Sequence, residues 1–244
     1  MKIKTPFVIG HRGAAGQAPE NTAAAFKKAA QLCARWVEFD VRLTRDGQPI
    51  VFHDETLERT TDGHGRILDL DWEDIQEVDA GQWYDRKYLA ERILTLQEAI
   101  AILQSLGLSA NVEIKSTPGR EVESGHTIAA DLKKHWPKDL PSPLISSFQR
   151  DCILAVKEEA PDIERALIVG DVPTDWKDVL MQLTCEGIHC RHDRVNEPLA
   201  KKIIEHGFSL RCYTVNENKR AQTLYAWGVH SIFTDYPDRI VTTH

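Results

Sequence analysis

Short apolar runs alternate with longer amphipathic runs along almost the whole chain. The short runs have the length and composition of buried strands, and the longer runs carry apolar residues at helical spacing. Several of the longer runs begin at a capping residue and end just before Gly or Pro, as helices do. The predicted strands are Phe7–Gly10, Trp36–Val41, Asn111–Lys115, Leu144–Ser147, Ile163–Val169, Cys185–Cys190, Phe208–Tyr213 and Ser231–Thr234. The clearest predicted helices are Thr22–Cys33, Leu94–Leu106, Gln149–Glu159, Asn196–His206 and Asn216–Trp227.

This alternation predicts the fold class. Strands that alternate with helices form parallel βαβ units, and about eight such units in a chain of 244 residues are the size of a closed (β/α)₈ barrel. An open doubly wound sheet is the alternative, but no Gly-x-Gly-x-x-Gly motif follows the first strand. No repeat, low-complexity tract or linker divides the sequence. We therefore predict one α/β domain over residues 1–244, with the TIM-barrel fold.

One connection is longer than a barrel requires. Between Arg42 and Leu94 the chain adds PIVFHD, which is typical of a short extra strand, and then about forty further residues. We predict an insertion at about residues 54–94 that covers the barrel mouth, where the active sites of such barrels lie. Its aromatic residues Trp72, Trp83 and Tyr84 form either a small satellite core or a lid. We favour the core, because aromatic side chains carry much of the burial in small subdomains.

Net charge and composition limit which classes of partner the protein is expected to bind. The net charge is -7, with acidic and basic residues interspersed, which argues against nucleic acid as a partner. The N-terminal apolar run is too short for a signal peptide, and no window approaches the ~18 apolar residues of a membrane span. The five cysteines form no CxxC pair, which favours reduced thiols and a cytoplasmic location. We expect a small-molecule substrate and no membrane insertion; the sequence does not specify an oligomeric state.

Two carboxylates share one face of the second predicted strand, WVEFDV. Glu38 and Asp40 are two positions apart and point the same way, while the valines and Phe39 fill the other face. The apolar face suits the surrounding helices, so the carboxylates point into the barrel, unless the strand has a solvated face. Two like charges in a low-dielectric interior need a positive charge between them. We therefore favour a divalent metal site.

The third predicted strand, NVEIKS, places Glu113 and Lys115 on one face. One interpretation is an internal salt bridge between the two. The other is that adjacent barrel strands bring Glu113 beside Glu38 and Asp40, which would give an all-oxygen site for Mg²⁺, Ca²⁺ or Mn²⁺ rather than zinc. Lys115 would then be a cation beside the metal, suited to an anionic substrate.

Two histidines end apolar runs. His11 follows the first predicted strand, and His53 follows the short extra strand. A lone histidine at a strand end is more often structural, but two that flank a carboxylate cluster can act as acid and base across one bond. Arg12, next to His11, offers a planar fork of donors for phosphate, or else forms a surface ion pair.

Taken in order, the motifs GHRG, PENT, EFDVRLTRDG, PIVFHD and EIK resemble those of the glycerophosphodiester phosphodiesterase family. The likeness extends to DAGQWYD and RILTLQEA in the long connection, and to SSF and FTDYPD further on, so it covers nearly the whole chain. HRG alone is a weak signal, whereas the ordered set is highly specific. Two departures stand out: Leu94 replaces a frequent proline, and CYTVN stands where the family often reads WTVN.

The resemblance implies a TIM barrel with an inserted segment after its second strand. It also implies hydrolysis of glycerophosphodiesters, the deacylated remains of phospholipids, to an alcohol and glycerol 3-phosphate. The residues that it implies are Glu38, Asp40 and Glu113 for one divalent cation (Mg²⁺ or Ca²⁺, or else Mn²⁺), His11 and His53 for acid and base, and Arg12, Lys115, Glu20, Asn21, Phe148 and Tyr213 for substrate binding. Tyr213 is otherwise a helix-facing core residue beside Cys212.

The residue types agree with phosphodiester chemistry. Arg12, Lys115 and a metal would stabilise the charge that builds on the phosphoryl oxygens. One histidine would take a proton from the attacking hydroxyl, and the other would give one to the leaving alkoxide. The attacker is either the substrate's own glycerol 2-hydroxyl, as the resemblance suggests, or water. The sequence leaves open which histidine is the acid.

Other functions fit parts of the sequence less well. A phospholipase C or D relative acting on intact lipid calls for an apolar rim or an interfacial helix, and a non-catalytic phosphate-binding barrel should lack a histidine or a carboxylate. The segment CEGIHCRH offers Cys185, His189, Cys190 and His192, but their spacing fits no standard zinc site. We interpret its cysteines as small core residues.

Overall fold

The computed structural model describes residues 5–241 and contains a closed barrel of eight parallel strands. Closure follows from the first strand, which pairs with both the second and the last. The strands are β1 Val8–Gly10, β2 Trp36–Leu43, β3 Pro49–Val51, β4 Leu94–Thr95, β5 Ser109–Ile114, β6 Leu144–Ser147, β7 Glu164–Val169, β8 Gly187–Arg191, β9 Ser209–Tyr213 and β10 Ser231–Thr234. Of these, β3 and β4 lie outside the barrel and run antiparallel. The predicted TIM barrel is therefore confirmed.

Helices connect successive barrel strands and surround the barrel. They are α1 Ala23–Gln31, α3 Leu96–Leu106, α4 Glu121–His135, α5 Arg150–Glu159, α6 Trp176–Leu183, α7 Glu197–Glu205 and α8 Asn218–Ala226, whereas the short α2, Trp72–Ile75, lies in the long connection between β3 and β4. Leu94 was expected in a helix but lies in β4, because Thr95 closes a capping box with Glu98 and so starts α3 at Leu96, two residues later. Within residues 5–241, β10 is followed by a 3₁₀ turn, Pro237–Arg239, rather than by an eighth outer helix.

The two faces of β2 carry different kinds of side chain, because successive residues of a strand point to opposite sides. Val37, Phe39 and Val41 are buried in the core between the barrel and the helices. Glu38 and Asp40 point into the barrel, and both are buried there. Trp36 precedes them on the inner face and belongs to a small apolar cluster inside the barrel. Compared with this apolar cluster, the two carboxylates therefore lie closer to the carboxyl ends of the strands.

The long connection forms a small subdomain with its own core. Its strands β3 and β4 extend the sheet from β2. The core consists of Ile50, Phe52, Leu57, Ile67, Ile75, Ala80 and Ile93, with Leu70, Trp72 and Val78 packed against it. The predicted satellite core thus includes Trp72, but Trp83 and Tyr84 lie outside it and contact each other edge to face, with ring centroids 5.6 Å apart. Aliphatic side chains supply most of the burial instead.

Gly13 is expected to tolerate no side chain. Its φ is +88°, and a Cβ would lie 2.7 Å from the Ala25 carbonyl carbon in α1. Gly47 has a similar φ of +83° but open space around it, so Gly47→Ala measures backbone strain alone. In urea unfolding, we expect Gly47→Ala to lower the free energy of unfolding by about 1 kcal/mol and Gly13→Ala by about 3 kcal/mol. Equal losses would show that α1 does not press on the loop after β1.

Candidate active site

Three carboxylates from two adjacent strands meet inside the barrel. β2 and β5 pair in parallel with Asp40 opposite Glu113 and Glu38 opposite Asn111. One oxygen from each of Glu38, Asp40 and Glu113 lies within 4.8 Å of the others. The strand pairing assumed from the sequence is therefore present, and it is what brings these side chains together.

The electrostatics of this cluster suit a bound cation. Burial, reinforced by the charge of Asp40, raises the pKa of Glu38 to about 8 and also raises the pKa of Glu113. Burial acts in the same direction on Asp40, but Arg12 and Lys115 outweigh it and hold the pKa of Asp40 below its usual range. The Glu38 Oε1 atom is buried and accepts no hydrogen bond from the described residues. Three hard oxygen donors with an unmet charge requirement fit a divalent metal ion.

His11 is held firmly at the end of β1. Its Nδ1 lies 2.7 Å from Asp235 Oδ1, and Asn216 Nδ2 donates to the other oxygen of Asp235 at 2.7 Å. The Nε2 atom is left on the side of the carboxylates, 3.9 Å from Glu38 Oε2. Burial lowers the pKa of His11, but the hydrogen bond to Asp235 and the charge of Glu38 outweigh it, so that the pKa is raised. The Asp235 carboxylate holds Nδ1 of the ring and so fixes the ring's orientation, with Nε2 toward the pocket.

His53 enters the site from a different element, just after β3. Its Nδ1 lies 2.5 Å from Asp54 Oδ1. Burial, together with the positive charge of Arg12, lowers the pKa of His53. Both histidines line one pocket of about 350 Å³, which Glu38 and Glu113 also line. The two imidazoles thus face one cavity with pKa values shifted in opposite directions.

Two cations border the same pocket. Arg12 adopts a left-handed backbone conformation, with φ of 48°, and its side chain pairs with Glu20 at 2.7 Å and Asp40 at 3.2 Å. Lys115 Nζ lies 3.5 Å from Asp40 Oδ1 and forms an ion pair with Glu113. The salt bridge considered from the sequence therefore exists alongside the carboxylate cluster. A strained arginine and a half-buried lysine at one cavity are suited to an anionic ligand.

The remaining predicted residues divide into two groups. Glu20 and Asn21 are absent from the lining of the large pocket; Glu20 accepts from Arg12, and Asn21 Nδ2 donates to Asp40 at 2.9 Å. Phe148 and Tyr213 do line the pocket, with their rings 6.3 Å apart. Tyr213 points inward and donates to the Val169 carbonyl, whereas Cys212 faces the helices. Direct substrate contact by these four residues stays a prediction.

The sequence reasoning assigned no role to several residues that brace the site. Arg59, in the insertion, forms two-pronged pairs with both Asp54 and Glu20. Arg59 thereby links Asp54, which pairs with His53, to Glu20, which pairs with Arg12. Asp235 lies in the FTDYPD motif, which was noted for its resemblance but given no function. The signal available for Asp235 was its position just after the last barrel strand, where chemistry is expected.

Comparison with known proteins identifies the chain's relatives. Residues 11–239 match the model of the Glycerophosphoryl diester phosphodiesterase family. The chain belongs to this family. It is 34% identical to the Bacillus subtilis protein YhdW and 32% identical to a glycerophosphodiester phosphodiesterase of Caldanaerobacter subterraneus, with 96% of both chains covered in each case. A solved structure of an Oleispira antarctica phosphodiesterase in complex with the product sn-glycerol-3-phosphate has 38% identity and a TM-score of 0.94, and the match covers 97% of this chain and 95% of that one.

Membership of the phosphodiesterase family confirms the resemblance predicted from the motifs, and it makes the chain a phosphoric diester hydrolase. The carboxylate cluster described above could hold a metal ion. Cys185 and Cys190 lie in the core between barrel and helices. Cys190 is next to His189 on β8, so the two side chains point to opposite faces of the strand. Within residues 5–241, every helix is too short or too polar to cross a membrane.

Arg59→Gln is expected to lower kcat about tenfold while leaving KM nearly unchanged, because His53 and Arg12 lose their shared brace but keep their own positions at the pocket. Arg59→Lys should recover little, since an ammonium cannot form the two-pronged pairs. Arg45→Gln is the matched control, because Arg45 makes an equally two-pronged pair with the exposed Asp71 outside the pocket. Steady-state kinetics of the three variants check this; equal losses for Arg45→Gln and Arg59→Gln would contradict it.

Proposed function

We propose that this protein hydrolyses glycerophosphodiesters to an alcohol and sn-glycerol 3-phosphate, using a divalent cation and His11 and His53 as acid and base. The observation that carries the proposal is the convergence of both histidines, two of the three carboxylates and both cations on one pocket. The relative from Caldanaerobacter is a glycerophosphodiester phosphodiesterase, and the Oleispira structure holds the product sn-glycerol-3-phosphate, which supports the same substrate class for this chain.

The size of the pocket favours a small substrate. A cavity of about 350 Å³ lies near the lower end of the usual range for small-molecule sites. A glycerophosphodiester fits this space, whereas the two acyl chains of an intact phospholipid would have to remain outside it. This supports deacylated phosphodiesters over a phospholipase activity. A cytoplasmic location stays a prediction.

Glu38, Asp40 and Glu113 would hold the cation, which when bound would supply Lewis-acid stabilisation of the phosphoryl oxygens. Arg12 and Lys115 would hold the phosphate and neutralise the charge that develops on it. One imidazole would accept the proton of the attacking hydroxyl, and the other would protonate the leaving alkoxide. Asp235 and Asp54 would keep the two rings oriented through their Nδ1 atoms. The attacking group is the glycerol 2-hydroxyl or a water molecule.

Phosphorus NMR tests the proposed reaction directly. The purified protein would be mixed with glycerophosphocholine or glycerophosphoethanolamine in the presence of Mg²⁺, Ca²⁺ or Mn²⁺. We expect sn-glycerol 3-phosphate to be the only final phosphorus product, and a transient cyclic phosphate would identify the 2-hydroxyl as the attacker. Appearance of phosphocholine or phosphoethanolamine, or faster cleavage of intact phospholipid, would contradict the proposal.

A further inference from the structure

One buried histidine at the pocket takes no part in the mechanism. His189 lies on β8, and strand alternation turns its side chain into the barrel while Ile188 and Cys190 face the helices. It is 1% exposed and lines the same pocket as His11 and His53. In the closed ring of eight strands β8 stands opposite β2, four strands away in either direction. His189 therefore faces the carboxylates of Glu38 and Asp40 across the barrel.

Two buried polar atoms of residues that line this pocket lack a hydrogen-bond partner in the described part of the chain. His189 Nε2 is buried and has no hydrogen-bond partner among residues 5–241. Asn111 Oδ1 is also buried and accepts no hydrogen bond from residues 5–241, although the Nδ2 of Asn111 donates to Ser146 Oγ at 2.9 Å. Buried polar groups almost always have partners, and each one left without a partner costs free energy. Two such groups lining one pocket indicate a ligand with its own hydroxyl or amide groups.

The environment of His189 decides which ligand chemistry it suits. Burial, together with the charge of Arg211, holds the pKa of His189 well below its ordinary value, so the ring is neutral at pH 7. A neutral imidazole has one donor nitrogen and one acceptor nitrogen and no charge to attract a phosphate. Its ring packs on Phe233, with centroids 5.0 Å apart. This combination of a polar edge and an apolar stack suits a hydroxyl-bearing carbon chain.

We propose that His189, with the carbonyl oxygen of Asn111 across the pocket, binds the hydroxyl groups of the substrate's glycerol and so selects glycerol phosphate esters over other phosphodiesters. This inference rests on the proposed function. The glycerol moiety is the part common to all glycerophosphodiesters, so it belongs at the enclosed end of the pocket, where His189 lies. The alcohol on the other side of the phosphate varies in size and belongs near the rim, where Phe148 is 44% exposed.

Calorimetric titration with a matched pair of ligands tests the proposal. sn-Glycerol 3-phosphate and n-propyl phosphate share the phosphate and the three-carbon chain, and only the first has free hydroxyls. We expect the wild-type protein, in a buffer with Mg²⁺, to bind glycerol 3-phosphate about tenfold more tightly. We expect His189→Phe to abolish this preference and to change the affinity for propyl phosphate less than threefold. These sizes correspond to the loss of one or two neutral hydrogen bonds.

Two further variants separate binding from packing. His189→Gln keeps a donor and an acceptor and should retain most of the preference, which also protects the test if His189→Phe folds poorly. His192→Phe makes the same substitution three residues later, outside the pocket lining, and should leave the preference unchanged. A wild-type protein that binds both ligands equally, or a His189→Phe variant that keeps the preference or weakens both ligands equally, would overturn the inference. Absence of glycerophosphodiester hydrolysis by the wild type would instead overturn the proposed function.

Discussion

Replacing either His11 or His53 by alanine is expected to lower kcat for glycerophosphocholine by about 10²–10⁴-fold, the usual range for loss of a general acid or base. Each ring is half-buried or more, is held at Nδ1 by its own carboxylate, and lines the pocket from a separate element. KM should change little, because Arg12 and Lys115 remain in place to bind the phosphate.

The dependence on pH distinguishes catalysis from simple disruption. The wild-type rate should follow a bell-shaped profile, and each alanine variant should lose one limb of it. The variant that lacks the acid, but not the one that lacks the base, should regain activity on a phosphodiester with a nitrophenolate leaving group. His126→Ala is the control, because His126 is 38% exposed and pairs with Glu158 on the surface. An unchanged bell in both active-site variants would contradict the assignment.

Asp40→Asn is the second substitution with a large expected effect. Asp40 is 1% exposed and is the carboxylate that both Arg12 and Lys115 hold in its ionised form. Removing its charge leaves two cations with less compensation and takes one oxygen ligand from the proposed metal site. We expect affinity for Mn²⁺ or Ca²⁺, measured by calorimetry, to fall at least about tenfold. We expect kcat to fall by about 10²–10³-fold.

A matched control distinguishes the loss of a metal ligand from the loss of one negative charge anywhere on the protein. Asp193→Asn makes the same substitution at an exposed two-pronged pair with Arg191, outside the pocket lining. It should bind the cation and turn over substrate as the wild type does. Unchanged cation affinity in Asp40→Asn would remove this carboxylate from the metal site, and equal losses in both variants would point to the overall charge instead.

The carboxylate cluster was predictable because it depends only on strand alternation. Glu38 and Asp40 share a face by their spacing, and parallel pairing with the next strand brings Glu113 to them. The bracing contacts were not predictable in this way. His11 and Asp235 lie at opposite ends of the chain, 224 positions apart, and meet only because the first and last strands close the barrel. The pairs made by Arg59 depend likewise on how the insertion folds back over the loop after β1.

The helix α4, Glu121–His135, is not among the helices predicted from the sequence. α4 contains Gly125, which weakens a helical pattern in the sequence. In the fold a Cβ at this position would lie 2.6 Å from the Cys152 carbonyl oxygen of α5. Glycine is therefore required by the close approach of the two helices, and tertiary packing compensates for its low propensity. A single sequence does not reveal such a contact.

The role of His189 was hidden by its neighbours. The residue types in CEGIHCRH suggest a zinc site, and their spacing argues against it. The interpretation of the cysteines as core residues agrees with their burial between barrel and helices, and it gives His189 no role of its own. Alternation along β8 sends His189 to the opposite face from Cys190. Only the closure of the barrel shows that this face borders the pocket.

Chelation tests the central claim of cation-dependent hydrolysis most directly. The purified protein would be assayed on glycerophosphocholine and glycerophosphoethanolamine before and after treatment with EDTA, and again after addition of Mg²⁺, Ca²⁺ or Mn²⁺. We expect EDTA to abolish the release of sn-glycerol 3-phosphate and at least one of the three ions to restore it, whereas with every ion the rate of His11→Ala or His53→Ala stays about 10²–10⁴-fold below that of the wild type. Hydrolysis that continues at an unchanged rate in EDTA, or that survives both histidine substitutions, would contradict the account.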